Sequence, residues 1–206
     1  MLDNNEFDLW AKYYDKSVEK NSNKYPFDGY YNVLNYLYNS ITNIKSKKIL
    51  DIGFGTGLLT NRLYRDGAKI FGIDFSKEMI NIAKAKMPDG VFIQKDFNLG
   101  IPSELTGEKF DYIISSYAFH HLDDNKKIDF ICKLKNLLYE DGKIIIGDVA
   151  FKSRKDLLEC KRHNLTEWDE DEIYIIEDEI VPLLYQNNIN VNYKQISSCA
   201  GILSIY

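Results

Sequence analysis

The sequence predicts an α/β fold, in which a doubly wound, mostly parallel sheet of seven strands carries helices on both faces and a C-terminal antiparallel hairpin. Three observations lead to this prediction. Short apolar runs alternate with amphipathic, helix-length stretches between residues 45 and 150, which is the pattern of right-handed βαβ units. A glycine-rich turn, GFGTG at 53–57, joins the first of these strands to its helix. Near the C-terminus, two strand-like runs are separated by only a short turn, and so short a connection requires an antiparallel pair.

The elements follow one another in a regular order. Five buried strands are predicted at KKILDIG (47–53), AKIFGID (68–74), VFIQKD (91–96), FDYIISSYA (110–118) and KIIIGDVA (143–150). Helical spacing of apolar residues predicts helices at GLLTNRLYRDG (57–67), KEMINIAKAKM (77–87), DNKKIDFICKLKNLLYEDG (124–142) and EDEIVPLLYQNN (177–188). Ser76 and Asp123 are expected to act as N-caps. Gly67 and Gly142 are expected to end helices. The terminal hairpin is predicted from INVNYKQIS (189–197) and AGILSIY (200–206).

Length, charge and cysteine usage narrow the class of protein. With 206 residues, 45% hydrophobic and 28% charged, the chain is expected to form one globular domain. Its formal net charge is -5 and its lysines are mixed with acidic residues, whereas nucleic-acid binders usually present a basic stripe. No apolar run approaches the roughly 20 residues that span a bilayer, and the acidic, aromatic N-terminus does not resemble a signal peptide. The three cysteines are far apart and form no CxxC motif, which indicates reduced thiols in a cytoplasmic protein.

The glycine turn departs from the dinucleotide-binding fingerprint G-x-G-x-x-G. Counted from Gly53, that fingerprint requires a third glycine at position 58, but Leu58 stands there and the glycine is Gly57. Asp51 precedes the turn by two residues, and a carboxylate at the mouth of the strand would repel a pyrophosphate. These features argue against a nicotinamide oxidoreductase, and the acid suits a ligand that carries positive charge or hydroxyls.

Two further acids close the second and third strands. In open α/β sheets, ligands bind beyond the carboxyl ends of the strands, so Asp74 and Asp96 are expected to face the same crevice. A carboxylate at Asp74 suits the vicinal hydroxyls of a ribose, and one at Asp96 suits an exocyclic amine such as that of adenine. Together with Asp51, they predict an adenosine pocket with a cationic or zwitterionic tail and no phosphates, which fits S-adenosylmethionine.

The chain resembles the class I S-adenosylmethionine-dependent methyltransferases through five motifs in the family's order: ILDIGFGTG, FGIDFSKEM, QKDF, FDYIISSYAFHHL and LYEDGKIIIGD. The WAKYYD start and the SSYAFHHL segment further resemble a small bacterial group within that family. The resemblance implies a Rossmann-like fold and a single domain over 1–206. It divides that domain into an N-terminal helical lid segment (1–44), a cofactor-binding core (45–150), and a substrate-side insert with edge strands (151–206).

The resemblance also implies S-adenosylmethionine as cofactor and S-adenosylhomocysteine as product. It implies cofactor contacts at Tyr14, Asp51, Gly53, Gly55, Gly57, Asp74, Phe75, Met79, Asp96, Phe97 and Ser115. The three glycines let the ligand lie against bare backbone, and Asp51 faces its amino end. Met79 packs near the nucleoside, the Phe97 amide meets the adenine ring, and the backbone around Ser115 receives the ammonium group. Tyr14, in the N-terminal segment, would close over the methionine end as part of a lid; the alternative is an amphipathic helix packed on the sheet.

The adjacent pair His120 and His121 supplies the candidate catalytic residues, because histidine can act as a general base near neutral pH. The alternative is that one histidine shapes the pocket and the other stabilises the loop. No metal is expected, because two adjacent side chains do not easily chelate one ion and HHLDD lacks the spacing of zinc sites.

Methyl transfer by in-line displacement to a small-molecule acceptor is the predicted function. A binding protein without methyl transfer and a methyltransferase that acts on a macromolecule remain as alternatives. The acceptor pocket is expected to form from the N-terminal segment, the loop after Ser115 and the insert over 151–175. In that insert, His163 and Trp168 could line the pocket or pack on the surface, and the acidic run 169–172 is expected to be a solvated loop. The acceptor and the oligomeric state stay open.

Overall fold

The computed structural model describes residues 14–206, without the side chains of Tyr14, Asp15 and Ser17. Residues 1–13 and the Tyr14 side chain, to which a lid role was assigned, therefore lie outside the described part. The helices are α1 (Tyr14–Asn21), α2 (Tyr30–Ser40), α3 (Leu58–Arg65), α4 (Lys77–Lys86), α5 (Asp124–Lys135), α6 (Arg154–His163) and α7 (Glu177–Gln186). The strands are β1 (Lys48–Ile52), β2 (Lys69–Asp74), β3 (Val91–Gln94), β4 (Phe110–Ser116), β5 (Leu138–Phe151), β6 (Ile175–Ile176), β7 (Val191–Gln195) and β8 (Ala200–Ile205).

The sheet confirms the predicted α/β fold. Its main path runs β3-β2-β1-β4-β5-β8-β7, and the first five of these strands are parallel. The last strand, β8, lies between β5 and β7 and is antiparallel to both, so the predicted C-terminal hairpin is present. The two-residue strand β6, which was not predicted, pairs with the end of β5 and adds an eighth strand. The order of strands turns back at β1, which is where an open sheet of this kind binds ligands.

Each face of the sheet carries its own apolar layer, because successive residues of a strand point to opposite faces. Leu50 and Ile52 of β1 join the layer that contains α5 and α7. Ile49 joins the opposite layer, which contains α2, α3 and α4. Among residues 14–206, no helix has both the length and the apolar composition needed to cross a membrane.

The helix boundaries follow the predicted capping signals, with one exception. The Ser76 side chain accepts a hydrogen bond from the Met79 amide at the start of α4, and Asp123 caps α5 in the same way. The predicted helix over 124–142 was wrong at its end, because α5 stops at Lys135. Leu138 already pairs with Phe110 in β4, so the chain enters β5 before it reaches the glycine that was expected to stop the helix.

Candidate functional site

A cleft opens at the carboxyl ends of β1, β2 and β4. Its walls include these residues with predicted site roles: Gly53, Gly55, Asp74, Phe75, Met79, Phe97 and His121. They also include residues that were not singled out from the sequence: Tyr30, Leu34, Phe54, Thr56, Leu58, Leu59, Ser116, Tyr117 and Ala118. Five of the predicted residues do not line it: Asp51, Gly57, Asp96, Ser115 and His120. The fold therefore brings together most, but not all, of the predicted residues.

The three glycines of the turn all have positive φ, but their surroundings differ. A Cβ on Gly55 would meet no atom within 4 Å, so this position faces the open cleft. A Cβ on Gly53 would lie 2.5 Å from the Cβ of Ala118, and one on Gly57 would lie 2.8 Å from the Met87 methyl carbon. Gly55 is thus bare backbone offered to a ligand, whereas the other two glycines permit close packing within the protein.

Asp74 fixes the turn from the end of β2. Its Oδ2 accepts a hydrogen bond from the Gly55 amide at 2.8 Å, and its Oδ1 accepts one from the Ser76 amide at 2.9 Å. The residue is buried, yet it lines the cleft. A negatively charged acceptor is therefore held at the cleft wall directly beside the open backbone of Gly55.

Asp51 lies behind the glycine turn and is only 1% exposed. Its Oδ2 accepts a hydrogen bond from the Thr60 hydroxyl, while its Oδ1 has no hydrogen-bond partner among the described residues. Burial, opposed by the Thr60 hydrogen bond and reinforced by the charge of Asp74, raises the pKa of Asp51 to about 7. A buried carboxylate oxygen without a partner is rare in a folded protein, and it would be stabilised by a cationic group nearby. The orphaned oxygen and the bare backbone at Gly55 both fit a ligand with an ammonium group.

Asp96 and Ser115 use their side chains within the protein. The exposed Asp96 accepts a hydrogen bond from the Asn98 amide at 2.8 Å and so caps a short 3₁₀ turn. The buried Ser115 hydroxyl donates to the carbonyl of Ile52 at 2.8 Å. The cleft wall is formed instead by Phe97 and by the residues that follow Ser115, and the predicted contacts of Asp96 and Ser115 with a ligand stay predictions.

Tyr117 is a cleft residue that the sequence placed in the loop after Ser115 but did not single out. Its φ is +52°, a conformation that costs a bulky residue energy and is concentrated at functional sites. Its hydroxyl is buried and has no hydrogen-bond partner among the residues described, and burial raises its pKa. Its ring lies 4.8 Å from that of Tyr30, which lines the same cleft. The only available signal was its position directly after β4, where strand ends meet the crevice.

The two histidines occupy one 3₁₀ turn, Phe119–His121, but have opposite surroundings. His121 lines the cleft, and its Nδ1 is buried without a hydrogen-bond partner in the described part of the chain. Burial and the neighbouring charge of His120 lower the pKa of His121 to about 3, so its ring is neutral at physiological pH.

His120 lies outside the cleft wall and is 7% exposed. Its Nδ1 is 2.6 Å from Asp148 Oδ1, and its Nε2 is 3.5 Å from Glu172 Oε1. Burial alone would lower the pKa of His120, but the Asp148 carboxylate outweighs that effect and raises it to about 9. The imidazolium in turn holds the pKa of Asp148 below its ordinary value, against the effect of burial.

Asp148 and Glu172 were both missed as site residues. Asp148, on β5, also accepts hydrogen bonds from the amides of Phe119 and His120 at 2.7 and 3.2 Å, so it anchors the histidine turn. It belongs to the IGD run of the fifth predicted strand, and that acidic residue was the signal. Glu172 belongs to the acidic run 169–172, but its side chain is only 20% exposed, so the expectation of a solvated loop is wrong for this residue.

An aromatic cluster covers the far side of Glu172. The Tyr174 hydroxyl donates to Glu172 Oε2 at 2.7 Å and is also hydrogen-bonded to the Tyr25 hydroxyl. The ring of Tyr25 stacks on Trp168 with centroids 5.1 Å apart. Trp168 therefore belongs to this cluster, whereas His163 is exposed and hydrogen-bonds only to the backbone of its own helix.

Sequence relatives identify one family. The model of a methyltransferase domain matches residues 49–142. An uncharacterized methyltransferase of Alkaliphilus oremlandii is 38% identical over 182 residues, which cover 86% of this chain and 81% of the relative. An uncharacterized methyltransferase of Geobacillus thermodenitrificans is 33% identical over 206 residues, which cover 96% and 93%.

Two solved structures show the same fold at low sequence identity. A DhpI-SAH complex has a TM-score of 0.73 at 15% identity, with 98% of this chain and 94% of that chain covered. The magnesium protoporphyrin IX methyltransferase ChlM from Synechocystis PCC 6803, with bound SAH, has a TM-score of 0.69 at 20% identity, with 86% and 83% covered.

Proposed function

Since the chain belongs to the S-adenosylmethionine-dependent methyltransferases, we propose that it transfers the methyl group to a small-molecule acceptor in the cleft beside Gly55. This proposal rests on one observation: three features lie together at the carboxyl edge of the sheet. They are the bare backbone of Gly55, the Asp74 carboxylate, and the Asp51 oxygen that has no hydrogen-bond partner among the described residues. S-adenosylmethionine supplies an activated methyl group on a sulfonium, and its departure leaves a neutral thioether. The protein then has mainly to hold the acceptor and the methyl group in line.

The cleft residues divide between the two ends of the cofactor. Asp74 is the residue to accept hydrogen bonds from the ribose hydroxyls, as acids at this position of such sheets do. Met79 and Phe97 supply the apolar walls for the adenine. Asp51, whose orphaned oxygen lies behind the turn, is the counter-charge for the cationic end. This assignment keeps the predicted roles of Asp51, Asp74 and Met79 and adds an apolar contact to the amide contact predicted for Phe97.

His121 is the histidine of the pair that we assign to the acceptor. It lines the cleft, and its neutral ring can accept a hydrogen bond that orients the acceptor. A pKa of about 3 makes this ring a weak base at neutral pH, so a proton that the acceptor loses passes to solvent. His120 has no access to the cleft wall, so we assign it no direct contact with the acceptor.

A small acceptor is favoured over a macromolecule by the mixed surface charge and by the enclosed, aromatic wall of the cleft. The net charge of -5 gives no electrostatic attraction to nucleic acid. Tyr30 and Tyr117 pack together where an acceptor would enter.

Calorimetric titration with S-adenosylmethionine and S-adenosylhomocysteine tests the cofactor assignment. We expect binding in the micromolar range, lost in Asp74→Ala and retained in Asp129→Ala, whose carboxylate is exposed on α5. Far-UV circular dichroism of each variant verifies the fold, and NADH serves as a negative control. Equal binding by both variants would contradict the site, and binding of NADH instead would favour an oxidoreductase.

Methyl transfer itself requires a labelled cofactor. Cell extract is separated into small-molecule, protein and RNA fractions, and each is incubated with the enzyme and methyl-labelled S-adenosylmethionine. Label in the small-molecule fraction supports the proposal, whereas label confined to protein or RNA identifies a macromolecular acceptor. Cofactor binding without label in any fraction supports the binding-protein alternative.

A further inference from the structure

We propose that His120, His121 and Glu172 form a divalent metal site next to the cofactor cleft, and that this site takes an acceptor with a metal-coordinating oxygen, such as a hydroxyl or a carboxylate. The metal site stands on its own geometry. The acceptor class rests on the proposed methyl transfer.

The distances between the three side chains suit a shared ion. One ligand atom from each lies within 4.8 Å of the others, so the 3₁₀ turn brings the two adjacent histidines to one point, against the expectation that such neighbours do not share an ion. His120 Nε2 and Glu172 Oε1 are 3.5 Å apart, beyond the usual 2.7–3.2 Å of a hydrogen bond. Two ligands of a tetrahedral ion with bonds of about 2.1 Å are separated by about 3.4 Å. The gap between these atoms therefore has the width that a coordinated ion requires.

Two of the three ligands are oriented by hydrogen bonds to the atoms that do not face the proposed ion. Asp148 Oδ1, 2.6 Å from His120 Nδ1, holds that ring so that Nε2 faces Glu172. The Tyr174 hydroxyl donates to Glu172 Oε2, which leaves Oε1 facing the histidines. Carboxylates bonded to the second nitrogen of a histidine are the usual support of histidine metal ligands. The third ligand, His121, has a buried ring nitrogen without a hydrogen-bond partner among the described residues.

The backbone holds the two parts of the site together. The Ile173 amide donates to the carbonyl of His120 at 2.9 Å. The ammonium of Lys127, a fully buried side chain, donates to the carbonyl of Ile173 at 2.7 Å and pairs with Asp124. The segment that carries Glu172 is thus fastened to the histidine turn, so the ligands are arranged before any ion arrives.

The charges of the site also favour a divalent ion. Asp148 and Glu172 present two carboxylates to the single ring of His120, and the charge of Lys127 is already paired with Asp124. The single positive charge of a protonated His120 would balance the negative charge of one carboxylate. The two positive charges of a divalent ion bound to the neutral ring would balance the charges of both. A set of two imidazoles and one carboxylate suits zinc, manganese or iron.

Three protein ligands leave coordination positions open, as in catalytic metal sites. Because His121 also lines the cleft, an acceptor oxygen on the ion would lie on the cofactor side. A divalent ion lowers the pKa of such an oxygen. With a hydroxyl acceptor, the O–H bond breaks and its proton passes to solvent, whereas a carboxylate has no proton to lose. In both cases the oxygen–methyl bond forms and the methyl–sulfur bond breaks to release S-adenosylhomocysteine.

Metal binding by the full chain tests the site without any acceptor. Protein stripped with EDTA is titrated with Zn²⁺ and, separately, with Mn²⁺ by calorimetry, and bound metal is counted by mass spectrometry after dialysis. We expect about one equivalent, with at least a 100-fold loss of affinity in Glu172→Gln. Glu170→Gln is the matched control, because this glutamate lies two residues away, is 72% exposed and pairs only with Lys161 on the surface.

S-adenosylmethionine titration of the same variants separates the two proposals. We expect Glu172→Gln to bind the cofactor as the wild type does, which also shows that the variant is folded. Less than a tenth of an equivalent of either metal in the wild type, or equal metal affinity in Glu172→Gln and Glu170→Gln, would overturn the metal site and leave the proposed function intact. If the wild type does not bind S-adenosylmethionine, that result would instead contradict the proposed function.

Discussion

Gly55 is the glycine of the turn that faces the open cleft, and its replacement by alanine separates an effect on ligand binding from an effect on stability. Its φ of +56° lies in the left-handed region, where an L-residue loses about 1–2 kcal/mol. The added methyl group meets no atom within 4 Å, so no packing cost is added in the ligand-free protein. For a chain of this length, each 1 kcal/mol lowers the melting temperature by about 2–4 °C.

Two other glycines provide matched comparisons. Gly107 has a φ of +81° and equally open surroundings, but it lies outside the cleft wall, so Gly107→Ala should cost the same stability and leave cofactor affinity unchanged. Gly53→Ala adds a Cβ 2.5 Å from that of Ala118. Overpacking of this kind costs about 1–3 kcal/mol beyond the strain of the backbone, so this variant should be the least stable.

Thermal unfolding and S-adenosylmethionine calorimetry on the three variants complete the test. We expect Gly55→Ala to lose at least about 1.4 kcal/mol of binding free energy, a tenfold rise in Kd, because its methyl group occupies ligand space. Unchanged affinity in Gly55→Ala would refute the assignment of the turn as the ligand cradle. A stability loss in Gly55→Ala as large as that in Gly53→Ala would refute the conclusion that Gly55 has open surroundings.

Three further predictions concern the residues around the cleft. Asp51 has a pKa of about 7, and its ionised form favours a cationic ligand, so cofactor affinity should fall as the pH drops through 7. In Asp51→Asn, the affinity measured by calorimetry should not change with pH over this range. Lys127→Met removes a hydrogen bond that a buried, charged ammonium donates to the carbonyl of Ile173 and should cost about 1.5–3 kcal/mol in urea unfolding, whereas Lys126→Met, on the exposed neighbour, should stay within about 0.5 kcal/mol. Ser76→Ala removes the cap of α4 and should lower the free energy of unfolding by about 1 kcal/mol in the same assay. Ser76→Thr keeps the capping hydroxyl and should leave that free energy unchanged.

The parallel part of the fold could be predicted from the sequence because each strand is a short buried apolar run followed by a turn signal. The end of α5 could not. Leu134, Leu137 and Leu138 continue the helical spacing of apolar residues, so periodicity alone carries the helix past its end. Pairing of Leu138 with Phe110 in β4 overrides that pattern, and such a pairing is invisible until the strands are assembled.

The cofactor side of the site was predictable for a related reason. Asp74 ends β2, Gly53 and Gly55 follow β1, and parallel strands bring their carboxyl ends to one edge. The acceptor side draws on residues that are distant in sequence. Glu172 lies in an acidic run that is typical of an exposed loop, and contacts made only in the folded chain, such as the hydrogen bond between the Ile173 amide and the carbonyl of His120, bring it to the histidine turn.

The histidine pair shows why residue type and spacing do not assign a catalytic role by themselves. His120 and His121 are adjacent, so any argument from sequence gives both the same candidate function. The fold places a carboxylate against the His120 ring and buries the His121 ring beside the charged His120, and these surroundings separate their pKa values to about 9 and about 3. Only the neutral ring lines the cleft, so of the two histidines only His121 can contact an acceptor there. The charged ring instead belongs with Asp148 and Glu172, where a proton and a divalent ion would compete for the same nitrogen.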